Sequence, residues 1–192
     1  QALVQLHNPA DLDSAEKARQ RLTFDEAFML QLLLLSRRKE LKNLDAVARP
    51  AHPGGLLDAF DALLPFELTA GQRSVAAEIA DDLSQPHPMH RLLQGEVGSG
   101  KTVVALRAML TVIDNGGQAA LLAPTEVLAA QHLRTMQKLL GSLAQGGMLG
   151  GTEGATQVTL ITGSQNAAAR KEALALAASG DAGIVIGTHA LL

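Results

Sequence analysis

The 192-residue sequence has no cysteine, no tryptophan and no tyrosine, and only four phenylalanines. Without thiols there is no disulfide framework, no thiolate metal site and no cysteine nucleophile, and the chain fits a reducing compartment. Aromatic residues are 2% of the total, which argues against a stacking platform for nucleic-acid bases as the main binding mode. The formal net charge of −3 is unlike that of a free-standing nucleic-acid binder. Any DNA contacts are therefore local or come from other parts of a larger protein. Long apolar runs are also missing. Leu30 to Leu35 contains Gln31 and ends at Ser36-Arg37-Arg38, far short of the ~20 apolar residues that span a bilayer. The start, Gln1-Ala2-Leu3, carries no initiator Met and no signal-peptide pattern. Together with the apolar finish at Leu191-Leu192, it reads as a cut in a longer protein.

What the chain does have is an ordinary globular balance, 47% hydrophobic and 18% charged. Up to about Leu64 the pattern is helical. Asp13 or Ser14 is a candidate cap, and Phe24, Ala27, Phe28, Leu30, Gln31 and Leu34 recur at three- and four-residue spacing. Pro50, Pro53, Gly54 and Gly55 interrupt it, and Leu56 to Leu64 is a further short helix. Thr69 caps a predicted helix to about Leu83. Beyond it, strands at Met89–Gln94, Gln118–Ala123, Val158–Thr162 and Gly183–Gly187 alternate with helices at Lys101–Asp114, Thr125–Leu140 and Gln165–Ala178. That alternation predicts an α/β fold, a parallel sheet with helices on both faces. The expected division is a helical segment 1–64 followed by the α/β part 65–192. The Gly-rich stretch 141–157 reads as a surface insertion.

The sharpest motif is Gly95-Glu96-Val97-Gly98-Ser99-Gly100-Lys101-Thr102, a full match to G-x-x-x-x-G-K-[ST] between a predicted strand and a helix. Gly98 and Gly100 let consecutive backbone N–H groups turn inward around an anion. The start of the helix adds partial positive charge. Lys101 supplies an ammonium for the β- and γ-phosphates, and the Thr102 hydroxyl is suited to a Mg²⁺ that bridges them. The motif therefore binds a nucleotide, with Mg²⁺ at its phosphates. It does not by itself choose among kinases, GTPases, motors and transporters. Other charges are less pointed. Arg37, Arg38, Lys39 and Lys42 form either a solvated helix face or a phosphate contact, and His87 and His90 lack a third metal ligand.

Four flanking segments narrow the choice. They are Phe66-Glu67-Leu68-Thr69-Ala70-Gly71-Gln72, the stretch Ala123-Pro124-Thr125-Glu126 running on to Gln131-His132, Leu160-Ile161-Thr162-Gly163-Ser164, and Gly187-Thr188-His189-Ala190-Leu191-Leu192. Together they resemble the first RecA-like motor domain of a superfamily 2 DNA helicase, most closely the bacterial RecG family. The resemblance covers residues 66 to 192, and Gln20 to Phe28 is similar to that family's linking helix behind a DNA-binding wedge domain. A second, less similar family is the translocase module of transcription-repair coupling factors, whose loop and post-strand motifs read differently from Gly98-Ser99-Gly100 and Pro124-Thr125-Glu126.

The resemblance implies an ATP-dependent helicase that remodels branched double-stranded DNA, Holliday junctions and stalled replication forks. It also implies a monomer without a membrane, in the bacterial cytoplasm. Gln72 then corresponds to the adenine reader, and Phe66 is able to pack against the base. Thr125, Glu126, Thr162, Gly163, Thr188 and His189 correspond to DNA contacts. Thr125 can equally be a plain helix cap, and His189 a packed or solvated histidine. The family's Asp-Glu pair and its second motor domain have no counterpart here. A chain of these residues alone is thus expected to bind nucleotide with little turnover. The reading from another class is a nucleotide-binding module that never turns over.

Overall fold

A computed structural model describes residues 1–146 and 155–191. Two compact units are present: residues 1–47 with 86–88, and residues 48–85 with 89–191. Helix Leu56–Leu63, grouped by sequence with the N-terminal segment, belongs to the second unit.

In the first unit, α1 (Ala2–His7) packs on α2 (Leu12–Lys42). The cap of α2 is Asp11, ahead of the expected Asp13 or Ser14. Its side chain accepts from the Ser14 backbone N–H at 2.7 Å, and the Ser14 hydroxyl accepts from the Asp11 N–H. This reciprocal pair satisfies two of the orphan donors at the helix start. The apolar spacing does mark a helix, but only Ala18 is buried along it. Phe24 and Phe28 stack on each other at 5.9 Å. Among the described residues no helix is long and apolar enough to cross a membrane.

The second unit is a three-layer α/β arrangement. Strands β1 (Ala119–Leu122), β2 (Val158–Ile161) and β3 (Ile184–Gly187) are all parallel, in the order β1-β3-β2. The central strand is buried along its whole length. Ile184 and Ile186 enter a core with α5 (Lys101–Asp114) and α6 (Glu126–Leu140), where Leu106, Leu110, Met136 and Leu140 are fully buried. Val185 points the other way and meets Ile161 and Ala173, the latter on α7 (Ala167–Ser179). Side chains alternate along a strand, so one buried strand needs cover on both faces. The expected fold is therefore the observed one.

The Met89–Gln94 strand is a correction: those residues have no ladder partner and stay irregular, with Leu92 83% exposed. A strand is a property of a pair, and local apolar composition cannot provide the second member. The segment is held instead by Arg91, whose guanidinium reaches Glu78 at 2.6 Å and Asp82, both on α4 (Ala70–Leu83). Residues 147–154 of the Gly-rich stretch lie outside the described residues. Its flanks meet: Gly146 N–H donates to the Thr156 carbonyl and the Gln157 side chain to the Gly146 carbonyl.

Helix α3 (Leu56–Leu63) has no side-chain cap of its own at Gly55. Asp114, the last residue of α5, supplies one from 58 positions away. Its two carboxylate oxygens accept from Leu56 N–H at 2.7 Å and Leu57 N–H at 3.1 Å. Farther along, Arg107 of α5 pairs with Asp61 of α3. Through these contacts Phe60 is locked into the core with no exposed surface. Loss of a helix cap costs about 0.5–2 kcal/mol. Asp114→Ala should therefore lower unfolding stability by about 1–2 kcal/mol, read as a shift of the urea midpoint, with Asp114→Asn recovering part of it.

Candidate nucleotide and nucleic-acid site

The loop from Gly95 to Gly100 leads into α5, with Gly100 as the N-cap. Gly98 and Gly100 sit at φ +85° and +81°, the left-handed region that only glycine enters at little cost. Lys101 and Thr102 open the helix. The Lys101 ammonium curls back and donates to the carbonyls of Gly95 and Glu96, each at 2.8 Å. It stands at the rim of the loop, held by neutral oxygens that a phosphate would outcompete. Glu96 and Val97 form the exposed outer turn.

Gln72 reaches the same loop. Helix α4 begins at Thr69, whose hydroxyl accepts from the Gln72 N–H at 3.2 Å. The Gln72 carboxamide answers both sides: its oxygen accepts from the Thr69 N–H at 2.9 Å, and its nitrogen donates to the Ser99 carbonyl at 2.9 Å. A Cβ added at Gly100 would come within 2.2 Å of that nitrogen. Gly100 is thus needed twice, for its backbone angle and for the approach of Gln72. Beside Gln72 and the loop lies a cavity of about 250 Å³ bordered by Thr69, Gln72, Leu93, Gly95, Ser99 and Lys101. Phe66 is not part of it. Phe66, half-exposed, lines a separate cavity of about 520 Å³ with Asp61, Leu64, Pro65, Glu67 and Arg73.

The remaining candidates gather by register. Leu122 and Ile161 both pair with Gly187, so the three strands end level. The residues that follow, Thr125, Thr162 with Gly163, and Thr188 with His189, share one edge of the sheet, the edge where α/β proteins bind ligands. Thr125 is the cap of α6, its hydroxyl accepting from Leu128 N–H at 3.3 Å. Thr162 is buried, and its N–H donates to the Gln165 side chain at 3.0 Å. Thr188 is half-buried and His189 is exposed, in a 3-10 turn, His189–Leu191.

Glu126 does not point away from the protein. Its carboxylate accepts from the Ser164 N–H at 3.0 Å and from the Ser164 hydroxyl. The Ser164 hydroxyl and then the Ser164 backbone N–H, with a lesser contribution from the Gly163 N–H, hold the Glu126 carboxyl below the usual glutamate range against the opposing effect of burial. Sequence reasoning named the T-G-S turn without assigning Ser164. A hydroxyl residue two places after a strand end was visible, but its partner lies 38 positions away.

The fold and the loop define a P-loop α/β domain of the motor type. Residues 69–192 match the DEAD/DEAH box helicase family, and the chain belongs to it. Over all 192 residues it is 53% identical to the ATP-dependent DNA helicase RecG of Mycobacterium tuberculosis, of which it covers 26%. It is 44% identical over 191 residues to the RecG of Synechocystis sp., covering 22%. A solved structure of RecG bound to a three-way DNA junction superposes with a TM-score of 0.80 at 35% identity, covering 98% of this chain and 24% of that one. The chain thus spans about a quarter of the length of the relatives it matches.

A depressed carboxyl pKa carries a sign for stability. Glu126 in the unfolded chain titrates near 4.3, and the folded value lies lower. Its contribution is present above the unfolded value and lost as pH falls through the folded one. NMR titration of the Glu126 carboxyl should give a midpoint below that of a free glutamate, and Ser164→Ala should move it back up.

Proposed function

We propose that this chain is the nucleotide-gripping part of an ATP-driven DNA helicase that remodels branched double-stranded DNA, such as Holliday junctions and stalled forks. The observation that carries the reading is one arrangement. A complete phosphate loop opens α5, and the three level strand ends put a row of hydroxyl and backbone groups along one edge of the sheet. The relatives named above are DNA helicases, and one was solved on a three-way junction. These likenesses support action on branched DNA; the reading further takes the enzyme to be bacterial and cytoplasmic, to work as a monomer and to act away from membranes.

The roles follow from the groups present. The loop glycines turn N–H groups toward the phosphates. Lys101 exchanges the Gly95 and Glu96 carbonyls for β- and γ-phosphate oxygens. The Thr102 hydroxyl is a ligand for Mg²⁺, which when bound neutralises charge on the same phosphates. Gln72 reads adenine: its carboxamide uses one lone pair and one N–H in the structure, which leaves one of each for the base. Phe66, which lines a separate cavity, would have to turn its ring toward the base to pack against it. Thr125, Thr162, Gly163, Thr188 and His189 contact the DNA backbone, where hydroxyls and N–H groups position the strand without reading sequence. The first unit serves as the linker from a DNA-binding wedge domain in the longer protein.

In the full-length protein, Lys101→Ala should abolish DNA-stimulated phosphate release. Turnover at the wild-type rate in that variant would sink the assignment. Gln72→Ala should weaken ATP by roughly 2–10-fold, the worth of one net hydrogen bond, and GTP less. An equal loss for both nucleotides, measured by equilibrium binding, would leave Gln72 only its structural bond to Ser99.

A further inference from the structure

We propose that Glu126 is a positioning residue that braces the turn after β2 against the start of α6, so that two loops meet DNA as one rigid surface. This rests on the DNA-binding reading above. Thr125 and Glu126 follow β1, while Thr162, Gly163 and Ser164 follow β2. The two strands are not neighbours, since β3 lies between them. Nothing in the ladder therefore fixes the two loops to each other directly.

The turn is well held from its own side. Thr162 N–H donates to the Gln165 side chain at 3.0 Å, the Gln165 amide donates to Leu160 at 2.9 Å, and Arg170 of α7 donates to the Thr162 carbonyl at 3.4 Å. From the β1 side, among the described residues, the hydrogen bonds come from Glu126. One carboxylate oxygen takes the Ser164 N–H and the other the Ser164 hydroxyl. A Cβ at Gly163 would stand 3.4 Å from the first oxygen, so the turn lies close against the carboxylate.

The chemistry separates this role from a DNA contact. A carboxylate repels a phosphate, and hydrogen bonds to its charged form keep Glu126 ionised at neutral pH. Its place in the first turn of α6 suits a negative charge. The groups beside it have the opposite character: the Thr125 and Thr162 hydroxyls can donate to a phosphate, while the Thr162 and Ser164 N–H groups of the turn are already taken by Gln165 and Glu126. Glu126 thus fixes the spacing of the donors without being one.

The test uses the full-length protein with Glu126→Ala, Glu126→Gln, Ser164→Ala and the Glu126→Ala/Ser164→Ala double variant. Two quantities are measured: amide exchange of the 160–166 segment, and the DNA concentration for half-maximal stimulation of ATP hydrolysis. Glu126→Ala should speed exchange in the turn and raise the DNA half-saturation about five- to tenfold, the size expected for the loss of one net hydrogen bond. The rate at saturating DNA should change less. Glu126→Gln should recover most of the loss, because a carboxamide can accept from the Ser164 N–H and donate to its hydroxyl. The double variant should be no worse than the worse single one. Unchanged exchange in Glu126→Ala, additive losses in the double variant, or faster exchange with unchanged DNA half-saturation would each overturn the proposal. A wild-type protein that DNA fails to stimulate would instead overturn the helicase reading, and the exchange data would still judge the brace.

Discussion

The parallel ladder through β3 is the constraint on which the second unit depends. Gly187 pairs with Leu122 on one side and Ile161 on the other, so three separate stretches of chain stop at one level. Parallel pairing needs a crossover for every return, and α6 and α7 are attached to those crossovers. Both faces of β3 are therefore covered, by Leu106, Leu110 and Met136 on one side and Ala173 on the other. A one-residue slip would turn Val185 into the α5–α6 core and Ile184 and Ile186 away from it. The same slip would separate Thr125, Thr162 and Thr188. Burial and the candidate DNA edge are thus held by one register.

Helix α5 links that core to the nucleotide end. Its first residues, Lys101 and Thr102, continue the phosphate loop, its middle carries Arg107 to Asp61, and its last residue caps α3. The loop itself is stabilised before any ligand arrives. Lys101 is held by two carbonyls and Ser99 by Gln72. Pre-formed donors lose less freedom when they meet a phosphate. The cost is placed in glycine: φ values near +80° at Gly98 and Gly100, with no Cβ to obstruct Gln72.

Two kinds of polar contact recur, and they act differently. Thr69, Thr125 and Asp11 cap helices from adjacent positions, which secures one element. Asp114 and Glu126 join elements far apart in the chain, and Arg91 ties an irregular segment to the helix before it. The second kind substitutes for a neighbour that is missing locally: a cap absent at Gly55, a direct ladder absent between β1 and β2, a ladder partner absent for Met89–Gln94. Each of the three is an ionic or charge-assisted contact, the stronger class of hydrogen bond.

The sequence by itself determined whatever depends on near neighbours. The phosphate loop, the caps at Thr69 and Thr125, the helices from α2 to α7 and the alternation that makes a parallel sheet are all written in spacings of a few residues, because helix period, capping and glycine angles are local physics. It also carried the resemblance to helicases, since those motifs are contiguous. Tertiary structure alone decided the rest. The strand order β1-β3-β2 fixes which loops share an edge, and no spacing encodes an order. Met89–Gln94 has strand composition but no partner, and Phe66 and Gln72, six residues apart in one motif, line different cavities. The partnerships of Glu126 with Ser164 and of Asp114 with Leu56 join residues 38 and 58 positions apart. A hydrogen bond needs its two atoms within about 3 Å, and only the packed core brings such distant positions that close.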